Sequence, residues 1–395
     1  MRRRGLAVDV LSVRRTVLLG ALTFLLMLPE TLPVPVLRGL CVERFGVSDT
    51  LASLFLVANM LGALVATPLV GLHVDRTGRR RRLCLVALAA DAALMQALAH
   101  AEDYGTFLAL RALEGAAHLS ALTLLMSLVS NAAGERRGRA LGAIGCGLTF
   151  GVATGAAIGG VLGRRDPLMT LHVASVVLAA AFVAAFWLLP EDTDQRQRHG
   201  FKEQLAAVRS APGLRAPLLL AFFDRFTVGF FTTGFPLLLA GVHDAPRPVI
   251  GMLLAAFLYP FALLSYPFGR AAERWSRLRM VALGSMFYGL AVALVGVAPI
   301  SAMWVLMPIC GVTSAVMFVP TLLWLLEQSP GIGRSTVMAA FHTAGSLGFL
   351  LGPLLCGELI AGGNFEVAFA VAGGSEIVGA IVVVLVALRR RAARR

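Results

Sequence analysis

Long apolar blocks alternate with short polar connections along the whole chain. Each block is about 20 residues long, the length that a helix needs to cross a bilayer core of about 30 Å. The pattern predicts twelve membrane-spanning helices, at positions 16–38, 50–72, 83–101, 105–130, 140–163, 168–190, 216–240, 249–268, 280–299, 302–327, 336–361 and 365–388. We therefore expect an all-α polytopic membrane protein.

Composition and charge agree with this expectation. Of the 395 residues, 58% are hydrophobic and 14% are charged, whereas soluble domains average about 25% charged residues. A net charge of +13 would suggest a nucleic-acid partner in a soluble protein, but in membrane proteins Lys and Arg collect in cytoplasmic loops. Most of the 35 Lys and Arg fall on the side of both termini, so we expect cytoplasmic termini and no nucleic-acid partner.

A polar stretch at 191–204 lies near the middle of the chain, with six predicted helices on each side. It predicts an N-terminal six-helix bundle at 1–190, a cytoplasmic linker at 191–215, with an amphipathic helix near 201–210, and a C-terminal six-helix bundle at 216–395.

The two halves show weak internal similarity in their fifth helices, the fifth and eleventh of the chain. Three glycines of one helix match three of the other at a constant separation: Gly151 with Gly348, Gly155 with Gly352, and Gly160 with Gly357. Many secondary transporters consist of such repeats, with the substrate site where the repeats meet.

The connection between the second and third helices reads GLHVDRTGRRRR, residues 71–82. Its spacing G-x-x-x-D-R-x-G-R-R resembles the signature loop of the major facilitator superfamily, and a degenerate copy follows the eighth helix at 269–279. The resemblance implies two pseudo-repeat bundles around a central cavity, alternating access, and a conformational latch in these loops. The latch residues would be Gly71, Asp75, Arg76, Gly78, Arg79, Glu273 and Arg274.

The alternative for the arginines of this loop is that they only orient the helices, and we favour it for Arg81 and Arg82. Asp75 favours the latch, because acidic residues contribute little to topology.

Two further motifs indicate which members of the superfamily the sequence resembles. Residues 108–118 resemble the superfamily's R-x-x-Q-G motif, with Arg111 and Gly115 in place and Glu114 where Gln is usual. The fifth helix resembles the glycine pattern of proton-coupled exporters, although Ala156 stands where that pattern has Pro. The resemblance implies export over import, and generic close packing through small residues is the alternative. The antiporter-type positions are Gly151, Gly155, Gly159, Gly160, Gly352 and Pro353.

Charged residues inside the predicted helices indicate functional or paired sites, because each costs about 2.5–3.5 kcal/mol of insertion free energy at mid-membrane. Arg111, Glu114 and His118 are spaced to share one face of the fourth helix. At about 1.5 Å of rise per residue, Glu30 of the first helix and Arg111 reach a similar depth. The resemblance implies that the first and fourth helices both line the central cavity, so Arg111 can pair with Glu30 or with Glu114. The predicted proton-coupling or substrate residues are Glu30, Asn59, Asp91, Arg111, Glu114, His118, Asp224 and Arg225.

Such a pair offers a coupling mechanism. A carboxylate stays ionised beside Arg, whereas burial without that partner favours its protonated form. Alternating access can switch the carboxylate between these settings, and a cationic substrate can compete with the proton. The alternative is a static structural ion pair.

The sequence contains no phosphate-binding loop and no H-E-x-x-H, C-x-x-C or G-x-S-x-G motif. The five cysteines are widely spaced and indicate neither a disulfide framework nor a metal site. We therefore expect neither an enzyme nor a resident cofactor, and a proton gradient as the driving force.

The expected function is proton-coupled export of small hydrophobic or cationic organic compounds by a monomer in the bacterial inner membrane. Alternatives on the same fold are a lipid or lysolipid flippase and a metabolite transporter. A non-transporting receptor or assembly partner is a distant alternative. We expect such a protein to have a large extramembrane domain, and the pattern of this sequence predicts none.

Overall fold

The computed structural model describes residues 12–132, 137–192, 206, 210–272, 274–329 and 334–392. Within them it is all-helical, and twelve segments are long and apolar enough to cross a membrane, as predicted. The spanning helices are α1 Val13–Thr31, α2 Leu54–Thr77, α3 Arg80–Ala99, α4 Tyr104–Ala132, α5 Arg137–Leu162, α6 Leu168–Leu188, α7 Arg215–Gly241, α8 Arg247–Ala271, α9 Arg277–Val295, α10 Ile300–Glu327, α11 Arg334–Ile360 and α12 Phe365–Ala392.

The first helix ends earlier than expected. A single helix over 16–38 was predicted, but α1 stops at Thr31, a 3₁₀ turn follows at Val34–Val36, and a π-helical segment at Gly39–Glu43. Pro33 and Pro35 explain the break, because proline has no backbone N–H to donate to the preceding turn.

Glycines bring paired helices into backbone contact at equivalent places in the two halves. A Cβ added to Gly151 of α5 would lie 2.7 Å from the carbonyl oxygen of Phe24 in α1. In the second half, a Cβ on Gly348 of α11 would meet the carbonyl oxygen of Phe222 in α7. Gly155 and Gly352 repeat the arrangement one turn further on, against Leu28 and Phe226. The glycine repeat in the sequence therefore corresponds to a repeated helix–helix contact.

The two halves meet through α5 with α8 and α2 with α11. We call the end of the bundle that carries the α1–α2, α5–α6 and α7–α8 connections the distal end. There, Arg247 at the start of α8 donates to Glu43 at 2.6 Å and to the carbonyl oxygen of Gly163 at 3.1 Å. Gly160 of α5 also lies against Gly251 of α8. The distal end is thus closed by direct contact between the halves.

Nearer the middle of the same interface, the hydroxyls of Thr154 in α5 and Tyr259 in α8 lie 3.1 Å apart. The predicted domain boundaries and the cytoplasmic position of the termini stay predictions. The amphipathic helix predicted near 201–210 falls almost entirely outside the described residues.

Candidate coupling site

A polar cluster lies inside the first half, where α1 to α4 pack together. We call it the first-half cluster; its members are Glu30 of α1, Asn59 of α2, Asp91 of α3, and Arg111, Glu114 and His118 of α4. All except Glu30 are fully buried. The structure thus brings together six of the eight predicted coupling or substrate residues.

Arg111 is the centre of the cluster. Its guanidinium pairs with Glu114 one turn along α4 and approaches Glu30 at 3.7 Å. The same guanidinium lies 4.3 Å from the ring centroid of Phe55 in α2, a cation–π distance. The side-chain amide of Asn59 donates to Glu114 Oε2, the same oxygen that accepts from Arg111, at 3.0 Å. Two carboxylates and an aromatic face therefore stabilise a charge that the bilayer alone would not tolerate.

His118 connects the remaining two acids. Its Nδ1 lies 2.8 Å from Asp91 Oδ2, which is a hydrogen bond. Its Nε2 lies 3.6 Å from Glu30 Oε2, too far for a hydrogen bond, and neither of these two atoms has another partner among the described residues. A histidine in this position can accept a proton at one ring nitrogen and release a proton from the other.

The first-half cluster holds three carboxyl groups against two basic side chains. Ligand atoms of Glu30, Glu114 and His118 lie within 4.8 Å of one another, a spacing that could hold a metal ion. The guanidinium of Arg111 lies against both carboxylates, however, and its charge opposes a divalent cation there. A proton or a monovalent organic cation fits the charge balance better.

The other two predicted residues lie in α7 of the second half. Asp224 is buried and its carboxylate lies 3.6 Å from Nε of Arg225. Arg225 is 26% exposed and its guanidinium lies 4.6 Å from the ring centroid of Phe318 in α10. As expected for adjacent helical residues, one points into the bundle and the other towards a neighbouring helix.

The predicted latch is only partly described. Gly78 adopts φ 70° and ends α2, with its N–H bonded to Val74 at 2.7 Å, so this position needs the left-handed turn that glycine permits. Arg79 and Arg274 are exposed. Gly71, Asp75 and Arg76 lie in α2, but the side-chain contacts at these three positions are not among those described. Glu273 lies outside the described residues. The latch stays a prediction.

Sequence reasoning missed three features of the site. The Asp91–His118 hydrogen bond and the position of Phe55 under Arg111 depend on how α2 and α3 are rotated, which spacing within one helix does not reveal. The ion pair between Arg277 and Glu327, which joins α9 to α10, was likewise not anticipated. Asp91 was predicted as a site residue, and a search for an acid one helix away at matching depth would have indicated it as the partner of His118.

Known proteins match both halves of the chain. The family model of the Major Facilitator Superfamily matches residues 19–223 and 217–395. The chain is 26% identical over 395 residues to the 3-(3-hydroxy-phenyl)propionate transporter of Escherichia coli (strain K12), covering 96% of both chains. It is 22% identical to multidrug resistance protein 2 of Bacillus subtilis (strain 168), covering 82% of this chain and 84% of that protein.

The fold is also found among solved structures. The crystal structure of a nucleoside transporter superimposes with a TM-score of 0.81 at 11% identity, over 94% of this chain and 98% of the other. Both halves of the chain match the family model, and the twelve-helix fold agrees with it. The chain is a multi-pass membrane transporter and belongs to the major facilitator superfamily.

Proposed function

We propose that this chain is a proton-coupled transporter that exports small hydrophobic or cationic organic compounds across the plasma membrane by alternating access. One observation carries the proposal. Glu30 is 16% exposed, and its carboxylate reaches Arg111 and His118, which are fully buried. Glu30 therefore joins a closed polar cluster to the surface of the bundle.

The charge balance of the first-half cluster fits exchange of one cation for another. If all three carboxyls and both bases are ionised, the cluster carries one net negative charge, which is costly in a low-dielectric interior. One bound proton removes it, and so does one monovalent cationic substrate. Competition for a single negative charge is the simplest form of antiport.

His118 gives the proton a route between Asp91 and Glu30. A small rotation of α1 relative to α4 would close the 3.6 Å gap between His118 and Glu30 and let the proton cross the ring. Alternating access can therefore connect or disconnect Glu30 and His118 by moving α1 relative to α4. Export is favoured by the resemblance of the α5 glycines to those of exporters, and by the similarity to a multidrug resistance protein.

A second candidate is proton-coupled transport of an aromatic acid. Arg225 is partly exposed and lies over Phe318, which in turn lies 5.7 Å from Phe261 and 6.1 Å from Phe341, ring centroid to centroid. A guanidinium beside several aromatic rings suits a carboxylate that carries an aromatic ring. The similarity to a 3-(3-hydroxy-phenyl)propionate transporter supports this candidate.

Transport by the purified protein in proteoliposomes tests the proposal. A pH gradient is imposed, and uptake of tetraphenylphosphonium is compared with uptake of 3-(3-hydroxyphenyl)propionate. We expect gradient-driven transport of one of them, and its loss in Glu30→Gln and Arg111→Ala. If tetraphenylphosphonium uptake depends on the pH gradient, the main proposal is supported. If 3-(3-hydroxyphenyl)propionate uptake depends on it, the second candidate is supported.

Glu102→Gln is the matched control, because Glu102 is an exposed acid in the α3–α4 connection. It should transport like the unmodified protein. If Glu30→Gln and Arg111→Ala also transport at the unmodified rate under the same gradient, the assignment of proton coupling to this cluster is wrong.

A further inference from the structure

A second buried polar cluster lies in the other half, where α12 packs against α9 and α7. Its centre is Glu376 of α12, which is fully buried. The hydroxyl of Thr227 in α7 donates to Glu376 Oε2 at 3.1 Å. Ser285 of α9 lies close to the same carboxyl, and its hydroxyl donates to Met317 Sδ at 3.3 Å. The carboxyl group therefore has one hydroxyl donor from another helix, and its second oxygen has no partner among the described residues.

The cluster has unused oxygen atoms. Glu376 Oε1, the hydroxyl of Tyr288 in α9 and Asp224 Oδ1 are all buried, and none has a hydrogen-bond partner among the described residues. Tyr288 is fully buried and lies within electrostatic range of both acids. Buried polar atoms are rarely left unpaired, so a group of them from three helices indicates a missing ligand.

The charges around Glu376 indicate what that ligand is. The titratable groups within electrostatic range of it are Asp224 of α7, which is also acidic, and the phenol of Tyr288 in α9. The Cys310 thiol of α10 lies within electrostatic range of Tyr288. Arg225, the nearest base, lies 3.6 Å from Asp224, and no basic side chain contacts Glu376 among the described residues. An unpaired buried carboxylate is too costly to persist.

We propose that Glu376, Thr227, Ser285, Tyr288 and Asp224 form a cation site that binds one proton or one Na⁺. The donor atoms are all oxygens, which suits a hard monovalent cation. The site is separate from the first-half cluster on which the proposed function rests. Asp224 is 10% and Arg225 26% exposed, so the cation enters beside these residues. Each half of the transporter then holds its own cation site.

Infrared spectroscopy of the intact protein in lipid, without substrate or gradient, tests this site. Spectra of the unmodified protein and Glu376→Gln are compared at neutral pH in Na⁺-free choline chloride. The unmodified protein should show a carboxylic-acid C=O band that is missing in Glu376→Gln. Adding NaCl identifies the cation: loss of the band assigns Na⁺, and persistence assigns the proton.

Glu366→Gln is the matched control, because Glu366 is an exposed acid in the first turn of the same helix; this variant should keep the band. Identical spectra for the unmodified protein and Glu376→Gln would overturn the proposal. If Glu376→Gln does not fold, Thr227→Val removes one hydrogen bond to the carboxyl and should raise the band frequency, and an unshifted band overturns the site. Because no transport is measured, failure here is distinguishable from failure of the proposed function.

Discussion

In the proposed mechanism, proton movement through the first-half cluster depends on His118. It is hydrogen-bonded to Asp91 on one side and faces Glu30 across 3.6 Å on the other. An imidazole can hold a proton on either nitrogen, whereas the carboxylates it joins each need a partner in the membrane interior. The two acids are therefore coupled through one ring.

Asp91→Asn tests this coupling. The substitution keeps the side-chain volume but removes the charge that attracts a proton to His118. We expect gradient-driven transport to fall by about tenfold or more, a loss of about 1.4 kcal/mol or more. Substrate exchange at equal pH on both sides should persist. Equal loss of both activities, or of neither, would contradict a role for Asp91 in coupling.

How far the sequence predicts the site differs between its residues. Counting residues along α1 and α4 gave Glu30 and Arg111 the same depth, because depth depends only on helical rise, and the family resemblance supplied the expectation that the two helices are neighbours. The partner of His118 was not predictable in the same way, since contact between α3 and α4 depends on the rotation of both helices. In the sequence, Glu376 is only an acid inside the predicted helix at 365–388, and its hydroxyl partner, Thr227, comes from a distant segment.

At the scale of elements, the glycines of α5 let it lie directly on α1. A Cβ on Gly155 would meet the carbonyl oxygen of Leu28 and the hydroxyl of Thr31. The hydroxyl of Thr31 donates to the Val152 carbonyl oxygen at 2.6 Å, so both sides of this contact are fixed. The helix that carries Glu30 is therefore packed tightly against α5.

Gly155→Ala should destabilise the protein by about 1–3 kcal/mol, because neither backbone can give way without strain. Thermal unfolding of the purified protein in detergent measures the effect. Gly145→Ala is the control on the same helix: a Cβ there meets nothing within 4 Å, so its stability should be unchanged or slightly raised. Similar melting temperatures for both variants would contradict the close contact.

The spans themselves followed from apolar length, and all twelve were found because a bilayer requires the same block length each time. The end of α1 was wrong because the apolar pattern continues through Pro33 and Pro35, although their backbone cannot. Hydropathy reports which residues avoid water, but it does not report where the helical hydrogen bonds stop.

At the scale of the whole molecule, contacts between the halves close the distal end. Arg247 belongs to the second half and binds two groups of the first, Glu43 and the carbonyl of Gly163. These contacts must break if the distal side is to open during alternating access. Their pairing was not predictable from sequence, because it joins two loops that are far apart in the chain.

Arg247→Gln should shift the population towards a distal-open state. Spin labels at Arg164 and Val242, which are exposed and lie in different halves at the distal end, report the separation in a cysteine-free background. We expect a longer-distance population in the variant. Arg165→Gln, a change at an exposed arginine of the α5–α6 connection, should leave the distances unchanged. An unchanged distribution in Arg247→Gln would show that this contact does not hold the end closed.

The central claim is that one proton exchanges with substrate at Glu30. The most direct measurement counts protons: proteoliposomes carry a pH-sensitive dye inside, and proton movement is recorded together with substrate movement for the unmodified protein and Glu30→Gln. We predict proton movement in fixed ratio to substrate in the unmodified protein, and substrate exchange without proton movement in Glu30→Gln. The same proton-to-substrate ratio in both proteins would contradict the claim.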